Sequence, residues 1–294
     1  MEGEQIVTSV GSHPSIRIAN LLRLIKFSHT LFALPFALAS MLVAARGLPT
    51  ASILGGILVC MVGARTAAMA FNRYVDWEID QQNPRTAERS RLASRWEALA
   101  LCLGGLTLFG SGLLLLNGLC RLLALPAIVI ILGYSYAKRF TSFCHALLGL
   151  ALGLAPLGAW AAVRGELTSV APYLLAASVL SWTFGFDLIY SLQDREVDLR
   201  LGLHSFPARY GAATTLRVAQ ILHGAAWVGW VAFGLQANLS GAYWLACAIA
   251  GAALLYEHRL CRKKDGRALN VAFFEVNVAV SLLLLLGVIG SLWL

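Results

Sequence analysis

Long apolar runs separated by short polar stretches organise this chain. They cover 28–45, 51–72, 98–117, 119–137, 143–163, 171–190, 215–237, 239–256 and 273–293. Each approaches the roughly 20 residues that a helix needs to cross a bilayer, and the gaps leave no room for a soluble domain. The runs are continuous and do not alternate, which argues against a β-barrel and for helices, whose backbone groups are satisfied internally. The pattern predicts an all-α polytopic membrane protein. Nine transmembrane helices enclose a central cavity in one domain over 1–294, with 1–27 as a cytoplasmic N-terminal segment.

Composition agrees with this reading. Charged residues make up 13% of the chain and mean hydropathy is +0.72, where a soluble domain carries about a quarter charged residues. The positive charges also give an orientation. With the N-terminus inside, the inner segments hold 19 Lys and Arg, while the outer loops hold only Arg46, Arg121 and Arg164; Arg65 lies within a span. The expectation is an integral protein of the cytoplasmic (inner) membrane, N-terminus in and C-terminus out. The net charge of +8 then faces anionic headgroups and can attract an anionic substrate. With no basic soluble module, nucleic acid is not an expected partner.

Other signals are missing. The first 27 residues lead into the apolar run without a small-residue cleavage site, so no removable signal peptide is predicted. The six cysteines are scattered singly, with no CxxC or Cys/His cluster to suggest zinc, haem or a disulfide framework. No Walker-type glycine loop appears, which argues against a nucleotide-driven pump. The sequence carries no signal of oligomeric state.

The acidic residues, by contrast, are patterned. In FNRYVDWEID (71–80), Asn72, Asp76 and Asp80 are spaced i, i+4, i+8 and share one helical face. In FDLIYSLQDREVD, Asp187, Asp194 and Asp198 are spaced i, i+7, i+11. Asp76 to Asp194 and Asp80 to Asp198 are each 118 residues apart, an offset that reads as a weak internal duplication with both groups emerging on the inner face. A single aspartate at a helix end is explained by a neighbouring arginine. Two spaced groups at a constant offset point instead to a shared cation. Oxygen-only ligation suits Mg²⁺, which characteristically bridges carboxylates to substrate phosphates.

These motifs, NxxxDxxxD at Asn72, Asp76 and Asp80 and DxxxD at Asp194 and Asp198, resemble those of the UbiA-type membrane-embedded aromatic prenyltransferases. The resemblance covers nearly the whole chain. ARTAAMAFNR, NPRTAER, YSYAKRFT, FDLIYSLQDREVD and GLHSFPARYG read most like the menaquinone branch of the futalosine type. That implies transfer of a polyprenyl chain to 1,4-dihydroxy-6-naphthoate, with the 4-hydroxybenzoate polyprenyltransferases of ubiquinone biosynthesis close by. One segment departs from the family: RLAS stands at Arg91 to Ser94 in place of a Leu-Pro-x-Gly turn.

The resemblance implies a metal site, and the positions of further residues give them provisional roles. Asp76, Asp80, Asp194 and Asp198 hold Mg²⁺, which binds the diphosphate of a polyprenyl donor; Asn72 supplies a neutral oxygen ligand or orients the metal's water. Lys138 and Arg139 neutralise diphosphate oxygens, with topogenic positive charge as the alternative for either, and Arg85 and Arg89 close over the phosphate. Tyr134 and Tyr136 line the cavity or serve as interfacial membrane anchors, and Asp187 orients the acceptor hydroxyl rather than holding metal. For His29, core hydrogen bonding is favoured over catalysis; for Trp182, Phe184 and Phe186, ordinary packing is favoured over stabilising the cation. Arg65 shares the face of Asn72 and Asp76 and lies roughly 10 and 16 Å beneath them at 1.5 Å per residue. It is assigned to the carboxylate of the aromatic acid acceptor, with a structural pairing to Asp187 or a helix-end carbonyl as the alternative. An ion-coupled transporter is the competing class, but it would place its acids at mid-span on broken helices.

Overall fold

The computed structural model describes Arg17, Asn20, Leu21, Arg23 and Leu24, then residues 32–261 and 272–293. His29 lies outside the described residues. Among those described there is no β-strand, and the elements follow the apolar runs closely. They are α1 (Leu34–Ala45), α2 (Ala51–Val75), α3 (Trp77–Gln82), α4 (Arg89–Leu92), α5 (Arg95–Leu113), α6 (Gly118–Gly133), α7 (Cys144–Arg164), α8 (Ala171–Ser191), α9 (Arg195–Arg200), α10 (Phe206–Gln236), α11 (Gly241–Cys261) and α12 (Asn277–Trp293).

Seven helical stretches among the described residues are long and apolar enough to cross a membrane. The sequence pattern gives nine spans. The difference lies in α1, which has only 12 residues within the described chain, and in α11, whose last turns carry Glu257, His258 and Arg259. Both are helices where the apolar runs place them. α6 turns Leu122, Leu125 and Val129 outward, 61–73% exposed, an apolar outer face that suits lipid rather than water.

Packing fixes the helix that carries the first acidic motif. A Cβ built on Gly63 of α2 would stand 2.4 Å from the backbone nitrogen of Phe109 in α5, and one on Gly105 would stand 2.6 Å from that of Ala67. The two backbones therefore touch, a close approach that only small residues allow. At the centre of the bundle, Trp182 packs against Phe36, Phe186 and Trp230 with ring centroids 5.2, 4.8 and 6.5 Å apart. Trp182 and Phe184 are buried, the packing role favoured from sequence; Phe186 is buried as well but also lines the polar cavity described below.

The RLAS departure has a structural resolution. Arg89 to Leu92 form one helical turn, Ala93 is extended, and Ser94 N-caps α5. Ser94 Oγ accepts from the Glu97 backbone N–H at 3.2 Å, and Glu97 returns a carboxylate oxygen to the Ser94 N–H at 2.7 Å. A capping box thus supplies the start signal for α5 where a proline–glycine turn is missing. Another local signal acts in α10, which begins at Phe206, earlier than the apolar run, and kinks at Gly211 (φ 78°), a backbone conformation that glycine adopts without strain.

Candidate active site

The first acidic motif sits where α2 ends. Asp76 leaves helical geometry as the C-cap of α2 and is followed directly by α3. The Asp76 N–H donates to Asn72 O at 2.9 Å and the Asp80 N–H to Asp76 O at 2.8 Å. The i, i+4, i+8 spacing thus survives the break as two successive turns. The second motif stands opposite, with Asp194 ending a 3₁₀ turn after α8 and Asp198 in α9. Both motifs line one polar cavity.

Each of the four aspartates is paired with a basic side chain. Asp76 accepts from Arg139 Nη1 at 2.9 Å and from Asn72 Nδ2 at 2.8 Å. Asp80 binds buried Arg73, and its other oxygen accepts from Arg89 at 2.9 Å. Asp194 accepts from Arg85 Nε and Nη2 at 2.9 and 2.5 Å, and from Asn83 Nδ2 at 2.7 Å. Asp198 pairs with Lys138 Nζ at 2.6 Å, and its Oδ2 is buried without a partner. Among the described residues no three His, Cys, Asp or Glu side chains converge as a ready metal cluster. The carboxylates are therefore not left to repel one another: Arg73, Arg85, Arg89, Lys138 and Arg139 interleave with them.

The loop after the first motif reaches the second. Arg85 lies over the Tyr190 ring at 4.8 Å and donates to its hydroxyl at 2.6 Å while holding Asp194. Burial works to lower the Arg85 guanidinium, but its bonds to Asp194 and Tyr190 carry it above its ordinary value. Burial lowers Arg89 to about 10, with Arg73 adding to the effect. Burial likewise raises the Asp76 carboxyl, against the pull of Arg73 and Arg139.

Deeper in the cavity the polar groups thin out. Arg65, Tyr134, His145 and Asp187 line it. Asp187 accepts no hydrogen bond from Arg65; its Oδ2 lies 2.6 Å from His145 Nδ1. Arg65 makes no ion pair among the described residues, and its Nε is buried without a hydrogen-bond partner. At Arg65, Tyr134, Leu148 and Leu152 the polar cavity adjoins a second, apolar one between α2, α5, α6 and α7. Its walls include Ile57, Met61, Leu113, Leu123 and Ile131.

Twelve of the residues singled out from the sequence fall in or against this basin: Arg65, Asn72, Asp76, Asp80, Arg85, Arg89, Tyr134, Lys138, Asp187, Asp194 and Asp198 line it, and Arg139 reaches in through its bond to Asp76. Tyr136 does not belong. It is 43% exposed and packs on Phe71, away from the cavity. Sequence reasoning missed roles for Arg73, Asn83, Tyr190 and His145. Asn83 lies in the quoted NPRTAER segment, whereas His145 follows no motif and meets Asp187 only across 42 residues of chain.

Comparison with known proteins agrees with the geometry. The chain is 34% identical over 265 residues to a 4-hydroxybenzoate octaprenyltransferase of Ralstonia nicotianae, covering 86% of this chain and 88% of that one. The apo structure of a UbiA homolog from Aeropyrum pernix K1 superposes with a TM-score of 0.81 at 31% identity, covering 89% of this chain and 97% of that one. A UbiA homolog from Archaeoglobus fulgidus, solved with GPP and Mg²⁺, shares the fold at a TM-score of 0.69 and 21% identity, covering 92% and 99%. Residues 33–288 match the UbiA prenyltransferase family. With its two acidic motifs facing each other across one basin, this all-helical membrane protein belongs to the UbiA prenyltransferase family.

Proposed function

We propose that the protein transfers a polyprenyl group from a polyprenyl diphosphate to an aromatic carboxylic acid bearing a phenolic hydroxyl. The observation that carries this reading is a polar basin, rich in interleaved carboxylates and cations, that adjoins an apolar cavity at Arg65 and Tyr134. A diphosphate suits the basin and an isoprenoid tail suits the cavity.

Mg²⁺ fits the residues present. The donor set is all oxygen, four carboxylates and the Asn72 amide, and Asp198 Oδ2 is buried with no partner. Asp76, Asp80, Asp194 and Asp198 would hold the metal, which when bound supplies positive charge against the diphosphate as it departs. Arg85, Arg89, Lys138 and Arg139 bind diphosphate oxygens, exchanging one set of anionic partners for another. The apolar walls keep water from the allylic cation. Arg65, whose Nε has no partner, receives the acceptor carboxylate, which a guanidinium matches with two parallel hydrogen bonds. The charge bias of the loops supports an active site at the inner membrane face.

The octaprenyltransferase relative supports 4-hydroxybenzoate as the acceptor. The segment resemblance to the menaquinone branch keeps 1,4-dihydroxy-6-naphthoate as the second reading. Purified protein incubated with a polyprenyl diphosphate, Mg²⁺ and each acceptor in turn tests both by product mass. Prenylation of neither overturns the function.

A further inference from the structure

His145 stands in the first turn of α7 and Asp187 one turn from the end of α8, so their pairing spans two helices at the floor of the basin. The imidazole is 5% exposed and lines the polar cavity. Its Nδ1 is 2.6 Å from Asp187 Oδ2, while Nε2 is buried and makes no hydrogen bond. Leaving such a nitrogen unpaired is costly, and a polar atom in this position calls for a ligand.

The chemistry of the pair identifies the ligand group. An ionised carboxylate only accepts hydrogen bonds, so Asp187 takes the Nδ1 proton, and the neutral imidazole that a proton acceptor must be is then the Nδ1–H tautomer. In that neutral form Nε2 is a bare acceptor that needs a donor. On the function proposed above, the two substrates bring few donors. A diphosphate ester offers only acceptor oxygens, the isoprenoid tail offers nothing, and the acceptor's carboxylate is again acceptor-only. The phenolic O–H is the one donor that fits.

We propose that His145 binds the acceptor's phenolic hydroxyl through Nε2 and takes its proton during transfer, with Asp187 as a positioning residue that holds the imidazole in the required tautomer. The inference deepens the function proposed above and rests on it. The prenyl C–O bond breaks with its electron pair leaving on the diphosphate. The ring carbon beside the hydroxyl then forms the new C–C bond. As it does so the O–H electron pair moves into the ring and the proton passes to Nε2, giving a neutral dienone. Loss of the ring proton at the substituted carbon restores aromaticity while His145 returns its proton to the oxygen. The net products are prenylated phenol, diphosphate and one proton. Asp187 touches no reacting atom; its role runs through His145.

The test compares two ligands that differ only in the hydroxyl. Binding of 4-hydroxybenzoate and benzoate is measured by calorimetry on the full-length protein, with steady-state kinetics alongside. Wild type should prefer 4-hydroxybenzoate by at least about tenfold, and His145→Ala should reduce that preference to within about twofold while benzoate affinity holds. His145→Gln, whose amide oxygen accepts a hydrogen bond but cannot carry the proton, should retain most of the preference. Its kcat should fall at least about a hundredfold, with the prenyl diphosphate KM within about twofold. Unchanged benzoate binding reports an intact cavity, and a merely structural histidine would weaken both ligands alike. Survival of the hydroxyl preference in His145→Ala, or normal turnover by His145→Gln, overturns the assignment. A wild-type protein that forms no prenylated product under any condition overturns the proposed function instead.

Discussion

Arg85 grips Asp194 with two nitrogens, at 2.9 and 2.5 Å, across 109 residues of chain. The loop that follows the first acidic motif is thereby latched to the second motif. Asp194→Asn should break the latch and remove an anionic ligand together. Turnover should fall at least about a hundredfold. Because both partners are largely buried, thermal stability should also drop, by about 1–3 kcal/mol. Product assays and thermal unfolding in detergent measure the two effects. Near-normal activity would remove Asp194 from the diphosphate site.

Divalent cation dependence follows from the oxygen-only donor set. Protein stripped with chelator should lose activity and regain it with Mg²⁺, and Mn²⁺ should substitute at least in part. Full activity in excess chelator would mean that the five interleaved cations alone stabilise the leaving group.

Arg65 has a separate, selective prediction. Arg65→Lys should raise the acceptor KM at least about tenfold and leave the prenyl diphosphate KM within about twofold, since one charged hydrogen bond is worth roughly 1.5–3 kcal/mol. A rise in the diphosphate KM alone would move Arg65 into the phosphate site.

The apolar cavity should accept the isoprenoid tail. Ala127 lines it, and Ala127→Trp fills space that a long tail needs. Transfer from a long polyprenyl diphosphate should slow by at least about tenfold, while transfer from geranyl diphosphate stays within about threefold. Equal losses with both donors would place the tail elsewhere.

The capping box makes the last prediction. Ser94→Ala removes the side-chain acceptor at the start of α5 and should cost about 1 kcal/mol of stability, read by thermal unfolding. No loss at all would mean that the α4–α5 junction is held by tertiary contacts alone.

The helices were legible in the sequence because a bilayer imposes one length and one polarity on every span, so composition alone locates α2 or α8. The acidic motifs were legible because their spacing is local and survives the break at Asp76. What the sequence hid was partnership. Nothing local says that Arg73 turns inward to Asp80 while Arg95 turns outward to Glu78. The His145–Asp187 pair exists only once α7 lies beside α8. The sequence offers both Tyr134 and Tyr136 to the cavity, but residues two apart in a helical turn face different ways, and Tyr136 packs on Phe71.

The glycine contact between α2 and α5 bears on how the site opens. With Gly63 and Gly105 bringing backbone against backbone, no layer of side chains separates the two helices and none can repack. The first motif therefore stands on a fixed wall. The opposite edge is closed by the loop that carries Arg85 and Arg89, which is held by side-chain hydrogen bonds that a diphosphate can compete for. On the proposed function, substrate exchange is expected to swap ionic partners along this rim while the α2–α5 contact stays as it is.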